Sequence, residues 1–236
     1  MRVFPIITTE PARGTLQVSL MARYRLLLET SSRVPVVALA DEQGIVREER
    51  LETQRRNARD LVPSIGRMLA ELEQKPRDLA GILVGLGPGS YTSLRVGLMT
   101  AKTLAYVVGC PLIGVPTMPI LALQAGEPRV DVVIDAQKDQ IYAQSFDHAQ
   151  ALGELRIVTV ADWLGQRDPS VLVTGPGLSK IAAPQLRRTP ETAWQPTAAS
   201  LLAIGTTLTP TDPFTLVPIY LRPSAAEQQW ETRGRR

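Results

Sequence analysis

Histidine and cysteine are almost absent from this 236-residue sequence, which contains one of each, His148 and Cys110. A single cysteine cannot form a disulfide within the chain, and the apolar run around Cys110 favours a packed thiol over a nucleophile. A single histidine excludes every metal site that needs two imidazole ligands. The composition therefore argues against the commonest zinc sites and against a cysteine–histidine catalytic pair.

The sequence also lacks a long apolar run and a strong excess of one charge. No stretch approaches the roughly 20 apolar residues of a membrane-spanning helix, so we predict no membrane insertion and expect a cytoplasmic protein. The net charge is +3, which by itself does not indicate nucleic-acid binding. We interpret two groups of arginines as a solvated face and a frayed end: Arg55, Arg56 and Arg59, and Arg233, Arg235 and Arg236.

The first residues do not resemble a secretory signal, because their apolar patch is short and is interrupted by Pro5 and Glu10. We predict that residues 1–22 form an N-terminal extension. Two alternatives remain open for it: a disordered segment, or a start site assigned too early, with Met21 as the true start.

Two parts of the chain predict the same order of elements, three strands, a helix and a further strand. The first part has strands at 24–30, 34–41 and near 45–52, a helix at 57–74 and an apolar strand at 79–86. The second has strands at 129–136, 140–147 and 154–160, a short helix after 160 and an apolar strand ending in Gly-Pro-Gly. This repeat predicts a duplicated α/β fold with two mixed-sheet lobes, at 23–126 and 127–236, as in actin-like and sugar-kinase-like ATPases.

The turns that would face a nucleotide in such a fold contain no glycine. Glu29 and Thr30 precede the first turn, and Asp135 precedes the second. Glycine-rich turns let backbone N–H groups approach a phosphate closely, so we predict at most a vestigial nucleotide cleft at these residues. A phosphotransferase or hydrolase that uses Glu29, Asp135 and magnesium remains the alternative.

A second candidate phosphate loop, Gly87-Pro88-Gly89-Ser90, lacks the lysine of a P-loop. We interpret it as a tight turn before a helix at 91–108, with Ser90 or Thr92 as the helix cap. This helix and the helix at 57–74 carry more apolar surface than one sheet face needs, which indicates a protein partner. The apolar stripes consist of Leu61, Ile65 and Leu69, and of Leu94, Leu98 and Ala101.

Residues 85–118, GLGPGSYTSLRVGLMTAKTLAYVVGCPLIGVPTM, closely resemble the signature of the bacterial TsaB family, also called YeaZ. Gly87 to Gly97 match the family run except at Ser93 and Val96. Weaker matches are LLLETSS, where Glu29 stands for aspartate, DAQKDQIYAQSF, where Gln137 stands for arginine, and VPIYLRP. The resemblance covers residues 24–223.

The resemblance implies a noncatalytic subunit, without a cofactor, that binds the TsaD-type threonylcarbamoyltransferase and acts with a TsaE-type ATPase in making threonylcarbamoyladenosine in tRNA. It also implies a homodimer when the protein is alone, formed through the same two helices. The six stripe residues, Leu61, Ile65, Leu69, Leu94, Leu98 and Ala101, would then be the partner interface, and contact with tRNA would be indirect or weak. A homodimeric regulatory protein without a role in tRNA is a further alternative.

Overall fold

The computed structural model describes residues 24–51 and 57–222, apart from the side chains of 57–59; the predicted N-terminal extension and the C-terminal arginines lie outside these residues. The first sheet has the strand order β3-β2-β1-β4-β5. Its strands are β1 (Tyr24–Glu29), β2 (Val36–Asp41), β3 (Gly44–Arg50), β4 (Leu79–Gly85) and β5 (Leu112–Val115). The central strand β1 pairs antiparallel with β2 and parallel with β4. Its apolar residues Leu26, Leu27 and Leu28 are fully buried, as expected of a strand covered on both faces.

The second sheet repeats this arrangement around its own central strand. Its strands are β6 (Arg129–Asp135), β7 (Gln140–Asp147), β8 (Gln150–Ala151), β9 (Arg156–Thr159) and β10 (Leu172–Thr174). The central strand β6 pairs antiparallel with β7 and parallel with β10, as β1 pairs with β2 and β4. This correspondence confirms the predicted duplicated α/β fold with two mixed sheets.

The helices cover the sheets. They are α1 (Asn57–Glu71), α2 (Tyr91–Val108), α3 (Thr117–Ala125), α4 (Val160–Gln166) and α5 (Ala198–Gly205). α1 and α2 end within a few residues of where the sequence predicts, whereas α5 was not predicted. Gly109 caps the end of α2; it has a φ of 74° and so adopts the left-handed conformation that glycine tolerates best. Pro63 lies inside α1, beyond its first turn. After β10 the second lobe has a short 3₁₀ turn, Pro176–Lys180, where the first lobe has α2.

Two helices connect the lobes by packing on the sheet of the other sequence half. α3 packs on the second sheet, where Met118 and Leu121 join a buried cluster with Val130. α5 packs on the first sheet, where Leu201 joins a buried cluster with Leu27. A boundary at residue 126 therefore places each sheet in its own half of the sequence. It does not do so for the helices, because α3 and α5 each cover the sheet of the other half.

The last described segment, residues 211–222, runs back along the first lobe. The Thr211 N–H donates to the Leu112 carbonyl at 2.8 Å, and the Ile219 N–H donates to the Leu86 carbonyl at 2.9 Å. On α2, the Lys102 Nζ donates to the Leu216 carbonyl at 3.1 Å. The segment therefore lies against α2 and contributes to the surface around that helix.

Candidate functional sites: the interlobe cleft and the α2 surface

A cleft of about 810 Å³ lies between the lobes, at the turns that follow β1 and β6 and at the start of α2. Its volume is in the range of small-molecule sites. Six serine and threonine side chains line it: Ser31, Ser32, Ser90, Thr92, Ser93 and Ser179. The charged side chains on the cleft are Arg33, Asp135 and Glu191, which give no excess of positive charge for a polyphosphate.

Glu29 does not line this cleft, although the sequence places it beside the first turn. Its side chain is fully buried; Oε1 accepts from the Ser31 N–H at 2.7 Å, and Oε2 accepts from Thr117 Oγ1 at 3.0 Å. Burial raises the pKa of the Glu29 carboxyl, and the hydrogen bonds from Ser31 and Thr117 oppose that rise only in part. Glu29 therefore stabilises the first turn through buried hydrogen bonds, and it is not available as a magnesium ligand in this conformation.

Thr30 is also buried and faces α2 instead of the cleft. Its Oγ1 donates to the Ser93 carbonyl at 2.9 Å. A Cβ atom on Gly97 would lie 2.2 Å from Thr30 Oγ1, so the glycine permits the close approach of the turn to the helix. Thr30 thus fixes the position of α2.

Asp135 is the member of the predicted vestigial set that does line the cleft. It accepts from the Gln137 N–H at 2.6 Å and pairs with Lys180 Nζ at 2.7 Å. In the turn after it, Gln137, Lys138 and Asp139 have φ values of 64°, 48° and 56°, a left-handed run built without glycine. Within the described residues, no three histidine, cysteine or acidic side chains come together as a metal site.

The Gly-Pro-Gly turn joins the first turn to α2. Gly87 has a φ of 86°, and the peptide bond between Gly87 and Pro88 is cis. A Cβ atom on Gly89 would lie 2.2 Å from the Ser31 carbonyl oxygen, which also accepts from the Ser90 N–H at 2.9 Å. Ser90 occupies the cap position of α2, but its side chain makes no capping bond and instead donates to Ser93 Oγ at 3.0 Å. Ser90, one of the two predicted cap residues, therefore occupies the N-cap position but without a capping bond from its side chain.

The six stripe residues expected to contact a partner lie in the core of the first lobe. Each has at most 4% of its surface exposed, because α1 and α2 turn these stripes toward the first sheet: Leu61, Ile65, Leu69, Leu94, Leu98 and Ala101. Their assignment as contact residues is thus corrected to a core role. The same helices expose other apolar side chains, namely Val62 on α1 and Met99, Tyr106 and Val107 on α2.

Residues of the segment 211–222 extend this exposed surface, which the sequence reasoning missed. Phe214 is exposed and its ring meets the Tyr106 ring edge-on at 5.7 Å. Val217 is also exposed. We call the exposed side chains of Met99, Tyr106, Val107, Phe214 and Val217 the α2 surface. The motif VPIYLRP, which contains Val217 and Tyr220, is the sequence feature that could have indicated that this segment belongs to the surface.

Tyr220 attaches the end of the segment to the start of α2. Its ring stacks on the Tyr91 ring at 4.6 Å, and the Arg95 guanidinium lies 4.2 Å from the Tyr91 ring centre. Arg95 Nε also donates to Tyr220 Oη at 3.3 Å. Aromatic stacking and a cation over an aromatic face thus hold the segment in place.

These features define a class: a two-lobed α/β protein of actin-like architecture with a hydroxyl-lined cleft and an exposed apolar helix surface. In the described part of the chain, no helix is long and apolar enough to cross a membrane. The fold resembles that of YeaZ from Pseudomonas aeruginosa, with a TM-score of 0.71 and 22% identity over 84% of this chain and 100% of that one.

Sequence comparisons then give the family. Residues 33–210 match the family model described as TsaD, tRNA N6-adenosine threonylcarbamoyltransferase. The tRNA threonylcarbamoyladenosine biosynthesis protein TsaB of Bacillus subtilis is 29% identical over 221 residues, covering 87% of this chain and 96% of that protein. TsaB of Escherichia coli is 30% identical over 121 residues, covering 50% of this chain and 52% of that protein. The chain belongs to the family that the TsaD model describes and, within it, to the TsaB (YeaZ) family.

Proposed function

We propose that this protein acts in the formation of threonylcarbamoyladenosine in tRNA as a noncatalytic subunit that binds and stabilises a TsaD-type catalytic subunit. A TsaE-type ATPase is the further partner, tRNA contact is indirect or weak, and the location is cytoplasmic. Membership of the TsaB family supports the process. Alone, the protein forms a homodimer through the surface that later binds the catalytic subunit.

The α2 surface is the observation that carries the partner role. Tyr106, Val107 and Phe214 expose 69%, 75% and 74% of their surface. The rings of Tyr106 and Phe214 are in contact, and Val107 follows Tyr106 on α2. Large exposed aromatic and aliphatic side chains in a group are typical of protein interfaces, because burying them on association is favourable. The core position of the six stripe residues leaves this exposed group as the contact surface.

Support for a noncatalytic role comes from the cleft. Of the two carboxylates that a magnesium-dependent reaction would use, Glu29 is buried under the turn, and Asp135 pairs with Lys180. One observation still supports the alternative of an ATP-dependent phosphotransferase or hydrolase: the cleft is large enough for a small molecule. Calorimetry with ATP and magnesium tests it, and we expect no binding at micromolar nucleotide.

Light scattering of this protein, alone and mixed with the TsaD-type protein of its own organism, tests the partner role. We expect a homodimer alone and a heterodimer in the mixture. Val107→Asp should abolish both, because a carboxylate would be buried at the centre of the contact. Leu152→Asp is the matched control, since Leu152 is an exposed leucine on the second lobe.

Two results would refute the proposal: no complex between the wild-type proteins with and without nucleotide and the TsaE-type ATPase, or equal loss of the complex in Val107→Asp and Leu152→Asp. A homodimer that persists while no complex forms would favour the alternative of a homodimeric regulatory protein.

A further inference from the structure

A small cavity of about 160 Å³ lies in the second lobe, at the end of α4 and over β6 and β7. Three arginines line it, Arg129, Arg156 and Arg167. Two carboxylates, Asp131 and Asp168, line it as well, so the cavity carries an excess of positive charge. None of these residues belongs to the α2 surface or to the interlobe cleft.

Arg167 is buried with part of its hydrogen-bonding capacity unused. Its side chain is 5% exposed, and its Nε has no hydrogen-bond partner. Nε forms an ion pair with the buried Asp131 carboxylate, 3.5 Å from Oδ2, without the geometry of a hydrogen bond, and Nη2 donates to the Val171 carbonyl at 2.5 Å. The guanidinium also lies 5.2 Å from the centre of the Trp163 ring. A buried N–H group without an acceptor costs free energy, which a bound anion would recover.

Both carboxylates of the cavity already have donors on their own lobe. Asp131 Oδ1 accepts from Ser145 Oγ at 2.6 Å. Asp168 Oδ1 accepts from the Ser170 N–H at 2.9 Å and from Ser170 Oγ at 2.7 Å. These bonds lower the pKa of the Asp168 carboxyl, and the charges of Arg129 and Arg167 add to that effect.

The two other arginines, Arg129 and Arg156, are exposed at the edge of the cavity. Among the residues that the structure describes, neither side chain makes a hydrogen bond or a salt bridge. Each keeps its planar set of N–H donors, whose spacing matches two oxygens of a phosphate or carboxylate group. Three guanidinium groups around a cavity of this size form a binding environment for one tetrahedral oxyanion.

A second cavity of about 260 Å³ adjoins the first, because Ser145, Arg156 and Trp163 line both. Its further lining residues include Gln144, Gly153 and Glu154, which are polar or small. The adjoining cavity therefore leaves room for the uncharged remainder of a molecule whose oxyanion lies between the arginines.

We propose that these two cavities form a binding site for a small phosphomonoester on the second lobe. Arg129 and Arg156 hold the phosphoryl oxygens from the edge, Arg167 supplies the buried charge, and the organic part of the ligand lies in the larger cavity beside Trp163. The site is independent of the partner surface, so it can be tested on the protein alone.

Calorimetric titration with inorganic phosphate, against sodium chloride at equal ionic strength, is the first test. We expect saturable binding of one phosphate per chain. The double variant Arg129→Gln, Arg156→Gln should weaken it at least tenfold while leaving the fold intact, because both side chains are exposed. The matched control is Arg47→Gln, Arg77→Gln, which removes the same charge from exposed positions on the first lobe.

Absence of saturable phosphate binding overturns the proposal, and so does equal weakening in the two double variants, which would indicate general attraction to a basic protein. Glycerol 3-phosphate, with glycerol as the uncharged control, tests the second cavity. We expect it to bind several-fold more tightly than phosphate, and glycerol not to bind. Equal affinity for glycerol 3-phosphate and phosphate would overturn the assignment of a phosphomonoester.

Discussion

Thr117 Oγ1 donates a hydrogen bond to Glu29 Oε2 at 3.0 Å, and thereby joins the end of β1 to the start of α3 beneath the interlobe cleft. The same hydroxyl accepts from the Gly87 N–H at 3.2 Å, so one side chain connects the first turn, the Gly-Pro-Gly turn and α3. In an actin-like architecture these are the parts that would approach a nucleotide. In this protein, the polar groups of these parts form hydrogen bonds with one another.

Glu29→Gln should increase stability at neutral pH. Burial raises the folded-state pKa of Glu29 above its unfolded value, so its ionised form opposes folding above the folded pKa, and this opposition disappears as the pH falls below the unfolded value near 4.5. A neutral amide removes that opposition and can still accept from the Ser31 N–H. Urea unfolding at pH 7 and at pH 4 tests this, and the advantage of the variant should be smaller at pH 4.

Glu29→Ala is the control for the hydrogen bonds. It leaves the Ser31 N–H without its acceptor and opens a cavity, so we expect a loss of about 2–4 kcal/mol at pH 7. An unfolding free energy that rose in Glu29→Ala as it does in Glu29→Gln would show that the bonds contribute little. A loss in both variants would contradict the pKa argument.

Gly89→Ala should destabilise the protein by about 1–3 kcal/mol, because a Cβ atom at this position would overlap the Ser31 carbonyl oxygen at 2.2 Å. Moving the turn away would also lengthen the bond from the Ser90 N–H to the same oxygen. Gly66→Ala on the exposed side of α1 is the matched control: a Cβ there meets nothing within 4 Å and should stabilise the helix by about 0.5–1 kcal/mol. Thermal unfolding of both variants distinguishes steric overlap from a general glycine effect.

Tyr220→Ala and Phe214→Ala should separate stability from partner binding. Tyr220 stacks on Tyr91, so its removal should cost about 1 kcal/mol and speed hydrogen exchange at the Ile219 N–H. Phe214 is 74% exposed, so its removal should leave stability within about 0.5 kcal/mol and weaken binding of the TsaD-type subunit. Unchanged binding in Phe214→Ala would remove this residue from the proposed interface.

Most strands and helices could be predicted from the sequence because they have a clear hydrophobic period; β8 and α5 were not predicted. The apolar strands LAGILVG and RVDVVID and the helical stripe of α1 all occur where expected. The sheets that α3 and α5 cover could not be predicted, because an apolar helix packs equally well on any apolar sheet face. Only the three-dimensional arrangement shows which sheet each helix covers.

The candidate site was predicted less well, for two physical reasons. A carboxylate at a strand end can point into a cleft or under a turn, and the local sequence at Glu29 does not distinguish these directions. An apolar stripe with a helical period identifies the face that turns toward the core, as Leu61 and Leu98 do. The surface available to a partner lies on the other faces, where Val107 and Phe214 follow no period.

Leu98→Ala and Val107→Ala test this distinction on one helix. Leu98 is 4% exposed, so its truncation should create a cavity and cost about 2–5 kcal/mol. Val107 is 75% exposed, so its truncation should change the free energy of unfolding by less than about 0.5 kcal/mol. Urea unfolding measures both. If Leu98→Ala were as stable as the wild type, the side chain would not be in the core and the original assignment of Leu98 to the interface would return. If it is destabilised as expected, a loss of partner binding in a charged Leu98 variant reports unfolding, and binding experiments require the exposed position Val107.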